Sequence, residues 1–107
     1  MLLKALSVVL FTILTILVSC SSDPILSYGK HYQVHKDYKS LRQVVDLLEL
    51  GVDSAYVRSV LGEPIDFGFD FRYLIDSTGA TGCAIGAVFH IDGEGKIDDK
   101  WLDEICE

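Results

Sequence analysis

Basic side chains are scarce in this 107-residue chain, which has nine Lys and Arg residues against sixteen Asp and Glu and a formal net charge of −7 at pH 7. Nucleic acids and anionic lipid headgroups are held through clustered Lys and Arg side chains, so neither is expected as a direct partner. The imbalance is concentrated in residues 63–107, which hold eleven acidic residues and three basic ones. A basic partner surface could use this asymmetry, although a solvated acidic face that keeps a small domain soluble is the simpler interpretation.

The chain also lacks the spacing patterns of several common functional sites. Gly79, Gly82 and Gly86 do not have the spacing of a dinucleotide-binding loop, and no helix is expected after them. The acidic, glycine-containing turn before Ile97 reads as a hairpin turn and not as a calcium loop, because Lys96 and Ile97 interrupt the alternation of oxygen ligands. No nucleophile, acid/base pair or cofactor motif emerges. The sequence therefore predicts a non-catalytic chain without a cofactor.

The histidines do not form a recognisable metal motif either. His31 and His35 are four residues apart, a spacing that on a helix would place both imidazoles on one face and could hold zinc. Tyr32 follows His31 where the metalloprotease pattern has Glu, and no third ligand is indicated. The sequence predicts no metal site here, and it assigns no role to Tyr28, His31, Tyr32 or His35.

The first nineteen residues have the layout of a secretory signal. A short basic start is followed by an apolar run that is too short and too weakly flanked for a secure membrane span. The run ends in Leu17-Val18-Ser19-Cys20, which resembles the lipobox of bacterial lipoproteins, in which the Cys carries acyl chains such as palmitate and becomes the mature N-terminus. The alternative is a plain secreted protein with a chance Cys near its cleavage site. Several acyl chains on one Cys would anchor the protein durably to a membrane.

The residue after the predicted anchor bears on localisation. Ser21 stands where an Asp commonly retains such lipoproteins at the inner membrane. We therefore expect the outer membrane, with the domain facing the periplasm, while the cell surface stays open as an alternative. The domain division that follows is a signal peptide over residues 1–19, a lipidated Cys and tether over 20–36, and one small domain over 37–107.

The two remaining cysteines are expected to form a disulfide. With Cys20 used for lipid attachment, Cys83 and Cys106 are an even pair in an exported small domain, and such pairs usually bridge. The bridge would stabilise the domain by about 3 kcal/mol on the chain-entropy model. The alternative, Cys83 as a nucleophile, lacks a nearby base or orienting acid.

Two helices are predicted at the start of the domain. The first runs from about Ser40, where Ser40-Leu41-Arg42-Gln43 reads as a capping box, and it carries an apolar stripe. A reversal at Gly51 leads to a second helix of about two turns. That helix is capped by Asp53, stapled by the pair Val52 and Val57, and stopped by Gly62 and Pro64. The two helices are expected to form a hairpin that docks on a sheet.

The remainder reads as three strands. Residues 65–75 alternate aromatic and polar side chains, so Phe67, Phe69, Phe71, Tyr73 and Ile75 are expected to share the buried face. A turn at 76–79, a second strand at 83–91 with His90 towards solvent, a hairpin turn at 92–96 and a third strand at 96–102 follow. The predicted fold is α+β, a two-helix hairpin packed on a three-stranded antiparallel meander.

The order of these elements and the residues at their joints resemble a known family. Leu50-Gly51-Val52-Asp53, Val60-Leu61-Gly62-Glu63-Pro64, Phe71-Arg72-Tyr73 and Gly95-Lys96-Ile97 are similar to the SmpA/OmlA (BamE-like) family of small outer-membrane lipoproteins. This resemblance implies a protein-binding accessory of outer-membrane β-barrel assembly or envelope integrity. The same small module also resembles the repeats of secreted β-lactamase inhibitor proteins, so the alternative is a small inhibitor or immunity-type lipoprotein that binds an envelope hydrolase. No binding residue is carried over from the family.

Overall fold

The computed structural model describes residues 23–106 as an α+β unit, in which three helices pack on one antiparallel sheet. The strand order in the sheet is the order in the chain, β1-β2-β3-β4. The α+β class predicted from the sequence is therefore confirmed, with one more helix and one more strand than expected. The elements are α1 (Pro24–His35), α2 (Tyr38–Leu47), α3 (Ser54–Leu61), β1 (Ile65–Asp66), β2 (Asp70–Thr78), β3 (Ala84–Ile91) and β4 (Ile97–Ile105).

The predicted tether over residues 20–36 is wrong from Pro24 onwards, because this segment forms helix α1. Asp23 caps the helix by accepting a hydrogen bond from the Ile25 N–H at 3.3 Å, and Pro24 occupies the first turn, where its missing N–H is not needed. Ile25 and Tyr32 are 4% and 2% exposed. Asp23 and Pro24 are each common in loops, whereas together they mark the start of a helix, and α1 belongs to the core.

Helix α2 begins earlier than predicted and uses a different cap. Asp37, and not Ser40, is the N-cap residue, and its carboxylate accepts a hydrogen bond from the Ser40 N–H at 3.0 Å. Ser40 is instead a buried residue inside the helix, so the predicted capping box is wrong. The predicted apolar stripe is confirmed, since all four of its members are at most 3% exposed: Leu41, Val44, Val45 and Leu48.

Helix α3 matches the prediction closely. Asp53 accepts a hydrogen bond from the Ala55 N–H at 2.9 Å, and Gly62 ends the helix at a φ of +86° that favours glycine. Val57 is fully buried, and Val52 packs against the same core. Both α2 and α3 pack on α1, so the helical layer has three members where the sequence predicted a two-helix hairpin.

The first predicted strand is split by a tight turn. The Asp66 carboxylate accepts a hydrogen bond from the Gly68 N–H at 2.7 Å, Gly68 has a φ of +85°, and β1 folds back on β2. Phe67 and Phe69 therefore lie in the turn and are 45% and 59% exposed, whereas Phe71 is 4% exposed. The expectation that the aromatic side chains of this segment share a buried face is wrong for the first two, because the turn breaks the alternation.

For the later strands, the sequence predicts which side chains face the core better than it predicts where each strand begins and ends. β2 continues through Thr78, so the predicted turn at 76–79 lies instead at residues 79–83, where Gly79 and Cys83 pair through their backbones at 2.8 Å. The hairpin turn at 92–96 is confirmed by the Asp92 N–H bond to the Lys96 carbonyl at 2.8 Å. β4 extends to Ile105, three residues beyond the predicted end.

Polar side chains join the helical layer to the sheet. The Tyr73 hydroxyl donates to the Gly62 carbonyl at 2.8 Å, and the Tyr32 hydroxyl donates to the Leu74 carbonyl at 2.5 Å. The Lys100 ammonium group of β4 donates to the carbonyls of Val45 and Leu48, the latter at 2.6 Å. A cation at a helix C-terminus satisfies carbonyls that have no partner within the helix.

Candidate protein-binding surface

One face of the sheet points away from the helices. Phe71, Tyr73 and Phe89 face the helical layer, so the residues that alternate with them face the opposite side. In the β2-β3-β4 register, Arg72, Val88 and Trp101 lie side by side, and Ile65 of β1 pairs with Arg72. We call this surface the open sheet face and define it by Ile65, Arg72, Leu74, Val88, Trp101 and Ile105.

The centre of the open sheet face is apolar and well packed. Val88 is only 2% exposed although it lies on this side, because Arg72 and Trp101 flank it on the neighbouring strands. A Cβ atom at Gly86 would lie 2.8 Å from Leu74 Cδ2 and 3.2 Å from Ile105 Cδ1, so these two side chains close over the glycine. Trp101 itself remains 44% exposed. Tryptophan beside a packed apolar centre is typical of the anchor residues of protein interfaces.

Arg72 is held in place on this face by two neighbours. Its guanidinium carbon lies 4.5 Å from the centre of the Phe67 ring, and its Nε lies 3.6 Å from Asp70 Oδ1. The Asp70 side chain is only 6% exposed. A guanidinium between a ring and a buried carboxylate has a fixed position. The turn residue Phe67 lies outside the core, but it therefore has a structural role at this surface.

The border of the open sheet face is acidic. A register shift next to His90 places Asp98 and Asp99 opposite that histidine, and Asp103 lies across from Gly86. His90 Nδ1 is 2.5 Å from Asp98 Oδ1. The pKa of His90 is raised above its ordinary value by this hydrogen bond, and further by the charges of Asp98, Asp70 and Asp99. The predicted solvent-facing position of His90 is confirmed, since its side chain is 44% exposed.

The two predicted disulfide residues meet at the end of the sheet. Cys83 and Cys106 are bonded through their sulfur atoms, and their Cα atoms are 5.3 Å apart, which is within the usual Cα–Cα range for a disulfide. The bridge joins the residue before β3 to the residue after β4. Glu104 lies close enough to both sulfurs to suggest a metal cluster, but sulfurs bonded to each other are not thiolate ligands.

A serine, a histidine and an aspartate also meet on the helical layer. His31 Nδ1 is 2.7 Å from the buried Ser40 Oγ and 3.0 Å from Asp37 Oδ1. In a hydrolase triad the acid and the nucleophile contact different ring nitrogens, so that the imidazole can pass a proton between them. Here both contact the same nitrogen, and the arrangement is not a triad.

Sequence reasoning missed this cluster because it missed helix α1. Asp23-Pro24, followed by apolar residues at positions 25 and 32, is the pattern that could have revealed the helix and placed His31 beside Asp37. The predicted lipidation residue Cys20 and the signal peptide lie outside the described residues. Within residues 23–106, no helix combines the length and the apolar character that crossing a bilayer requires.

Comparisons of the chain with protein-family models, with curated proteins and with solved structures gave no match. The likeness to the SmpA/OmlA family therefore rests on the residues at the joints of the domain, and it stays a prediction.

Proposed function

We propose that this chain is a lipid-anchored envelope protein whose domain binds a protein partner through the open sheet face and performs no catalysis itself. The observation that carries the proposal is the exposed Trp101 beside an apolar centre and an acidic border. Interfaces commonly combine such an aromatic anchor with charges at the rim that orient the partner. The partner that fits is a folded envelope protein with an apolar patch edged by Lys and Arg.

The export part of the proposal is supported by two features of the chain. The lipobox-like Leu17-Val18-Ser19-Cys20 follows an apolar run at the distance expected for a signal peptide. The pairing of Cys83 with Cys106 is typical of proteins in oxidising compartments. Anchoring in the outer membrane, with the domain in the periplasm, would bring the open sheet face to envelope partners. Mass spectrometry of the mature N-terminus tests the anchor, and a Cys20 without acyl chains would contradict it.

Within this class, we propose an accessory role in outer-membrane β-barrel assembly or envelope integrity. The sequence resemblance of residues 48–97 supports it, together with the cap at Asp53 and the stop at Gly62 on which that resemblance depends. The test is deletion of the gene followed by complementation with wild-type, Trp101→Ala or Val34→Ala protein. Val34 is the matched control because it is 76% exposed on α1, away from the sheet.

Deletion should raise outer-membrane permeability and lower porin levels. Wild-type and Val34→Ala protein should restore both, and Trp101→Ala at equal abundance should not. Unchanged permeability and porins after deletion would contradict the assembly role. The inhibitor alternative predicts a different result. The wild-type protein would capture one envelope hydrolase in a salt-sensitive way and abolish its activity, and Trp101→Ala would do neither.

A further inference from the structure

Helix α1 carries two exposed imidazoles on one side, and we propose that His31 and His35 bind a divalent transition-metal ion of the zinc and copper class. The two residues are one helical turn apart, and their ring centroids are separated by 4.3 Å. The His31 side chain is 54% exposed, and His35 is also exposed. Imidazole nitrogen is a preferred ligand of zinc and copper. The spacing was visible in the sequence, but only the helix makes the rings neighbours.

The carboxylate of Asp37 orients the first of these ligands. Asp37 Oδ1 lies 3.0 Å from His31 Nδ1, and Ser40 Oγ lies 2.7 Å from the same nitrogen. Both contacts hold the ring by Nδ1, which leaves the other ring nitrogen, Nε2, for a metal ion. Metal-binding histidines commonly have their second ring nitrogen on a carboxylate in this way.

The position in the helix favours a cation as well. His35 is the last residue of α1, where the carbonyl ends of the helix carry partial negative charge. The neighbouring cation Lys36 points elsewhere, since its Nζ lies 4.7 Å from the centre of the Tyr32 ring. Two protein ligands leave the remaining coordination positions to water, so the site suits a surface-bound, exchangeable ion.

The test is calorimetric titration of the full chain, purified with its disulfide intact, with ZnCl2, CuCl2 and MgCl2. We expect saturable one-to-one binding of zinc, tighter binding of copper, and no binding of magnesium, which prefers oxygen ligands. His31→Ala and His35→Ala should each abolish zinc binding. Both positions are exposed and alanine favours helix, so the variants should fold, which circular dichroism will show.

The matched control is His90→Ala. Like His31, His90 contacts a carboxylate, that of Asp98. Unlike His31, it has no second histidine nearby in sequence or on its own strand, because the other two histidines of the chain are both on α1. This variant should bind zinc with unchanged affinity. Absence of saturable zinc binding in the wild type, or equal losses in His90→Ala and His35→Ala, would overturn the proposal.

A further variant tests the orienting carboxylate. Asp37→Asn keeps an oxygen that can cap α2 but removes the charge, so zinc affinity should fall by about 10- to 100-fold. Nitrogen NMR should show zinc on Nε2 of both His31 and His35 in the wild type. Ligation through Nδ1 of His31, or an unchanged affinity in Asp37→Asn, would overturn the assigned role of Asp37.

Discussion

Two tyrosine hydroxyls connect the helical layer to the sheet. Tyr73 reaches from β2 to the carbonyl of Gly62 at the end of α3, and Tyr32 reaches from α1 to the carbonyl of Leu74 on β2. Both rings are almost fully buried, and burial raises the pKa of each phenol above its ordinary value. These single atoms therefore carry part of the contact between layers, and each can be removed without changing the shape of the ring.

Tyr73→Phe should lower the free energy of unfolding by about 1 kcal/mol, because the Gly62 carbonyl loses its donor in a site with little access to water. Urea denaturation followed by circular dichroism measures the change. Tyr28→Phe is the matched control on the exposed side of α1 and should leave the midpoint unchanged. Equal effects of the two substitutions would contradict the role given to the Tyr73 hydroxyl.

Alkaline pH should destabilise the domain through Tyr32. Burial, and secondarily the charge of Asp76, raises the pKa of Tyr32 to about 12 from an ordinary value of 10.0. Because the pKa of Tyr32 is higher in the folded than in the unfolded protein, the neutral phenol stabilises the fold at pH values below the unfolded pKa. This stabilisation, up to about 3 kcal/mol, is lost as the pH rises from about 10 to about 12. Urea midpoints measured from pH 8 to 12 should fall above pH 10, and less steeply in Tyr32→Phe. Identical pH profiles for the two proteins would argue against this origin.

At the level of elements, local signals were predictable and signals that depend on distant partners were not. Asp53 and Gly62 mark α3 by rules that involve only neighbouring residues, so both ends of that helix could be read from the sequence. Helix α1 was missed because its apolar side is narrow and Gly29 argues against a helix in isolation. Its stability comes from contact with α2 and α3. The turn at Gly68 was missed because an alternating aromatic run predicts one continuous strand.

Gly29 is required for the close approach of α1 to α3. A Cβ atom there would lie 2.2 Å from the Val60 carbonyl oxygen and 2.7 Å from Val60 Cγ1. Gly29→Ala should therefore destabilise the protein by about 1 to 3 kcal/mol, although alanine favours helix in general. Thermal unfolding measures the effect. Gly93→Ala is the control, because no atom lies within 4 Å of its added Cβ, and a Gly29→Ala protein as stable as this control would refute the close contact.

The disulfide joins the start of β3 to the end of β4, the two strands that share the longest pairing in the sheet. Cys83 and Cys106 are separated by 23 residues, so replacing both with serine should lower the free energy of unfolding by about 3 kcal/mol on the chain-entropy model. Reduction of the wild-type protein should produce a comparable loss, which urea denaturation with and without reductant will measure. Thiol labelling of both residues in protein that has not been reduced would show that the bridge is absent.

For the whole molecule, the separation of a covered sheet face from an open one is the central feature. The acidic excess after residue 62 was visible in the sequence. Its arrangement as a border around Trp101 was not, because it depends on the strand register and on the irregularity that turns Asp98 and Asp99 towards His90. A sequence shows which residues alternate on a strand. It does not show which strands pair with each other, and the open sheet face consists of side chains from paired strands.

The most direct test of the open sheet face is site-specific photocrosslinking in living cells, with a photoreactive amino acid at position 101 or at position 34. The two positions lie on the sheet and on the helical layer, and both are exposed in the free domain. We predict one discrete protein adduct from position 101 and none from position 34. When the crosslinking is repeated in isolated envelopes, high salt should remove the adduct, because salt weakens the attraction between the acidic border and a basic partner. An adduct from position 34 alone, or none from position 101, would contradict the account.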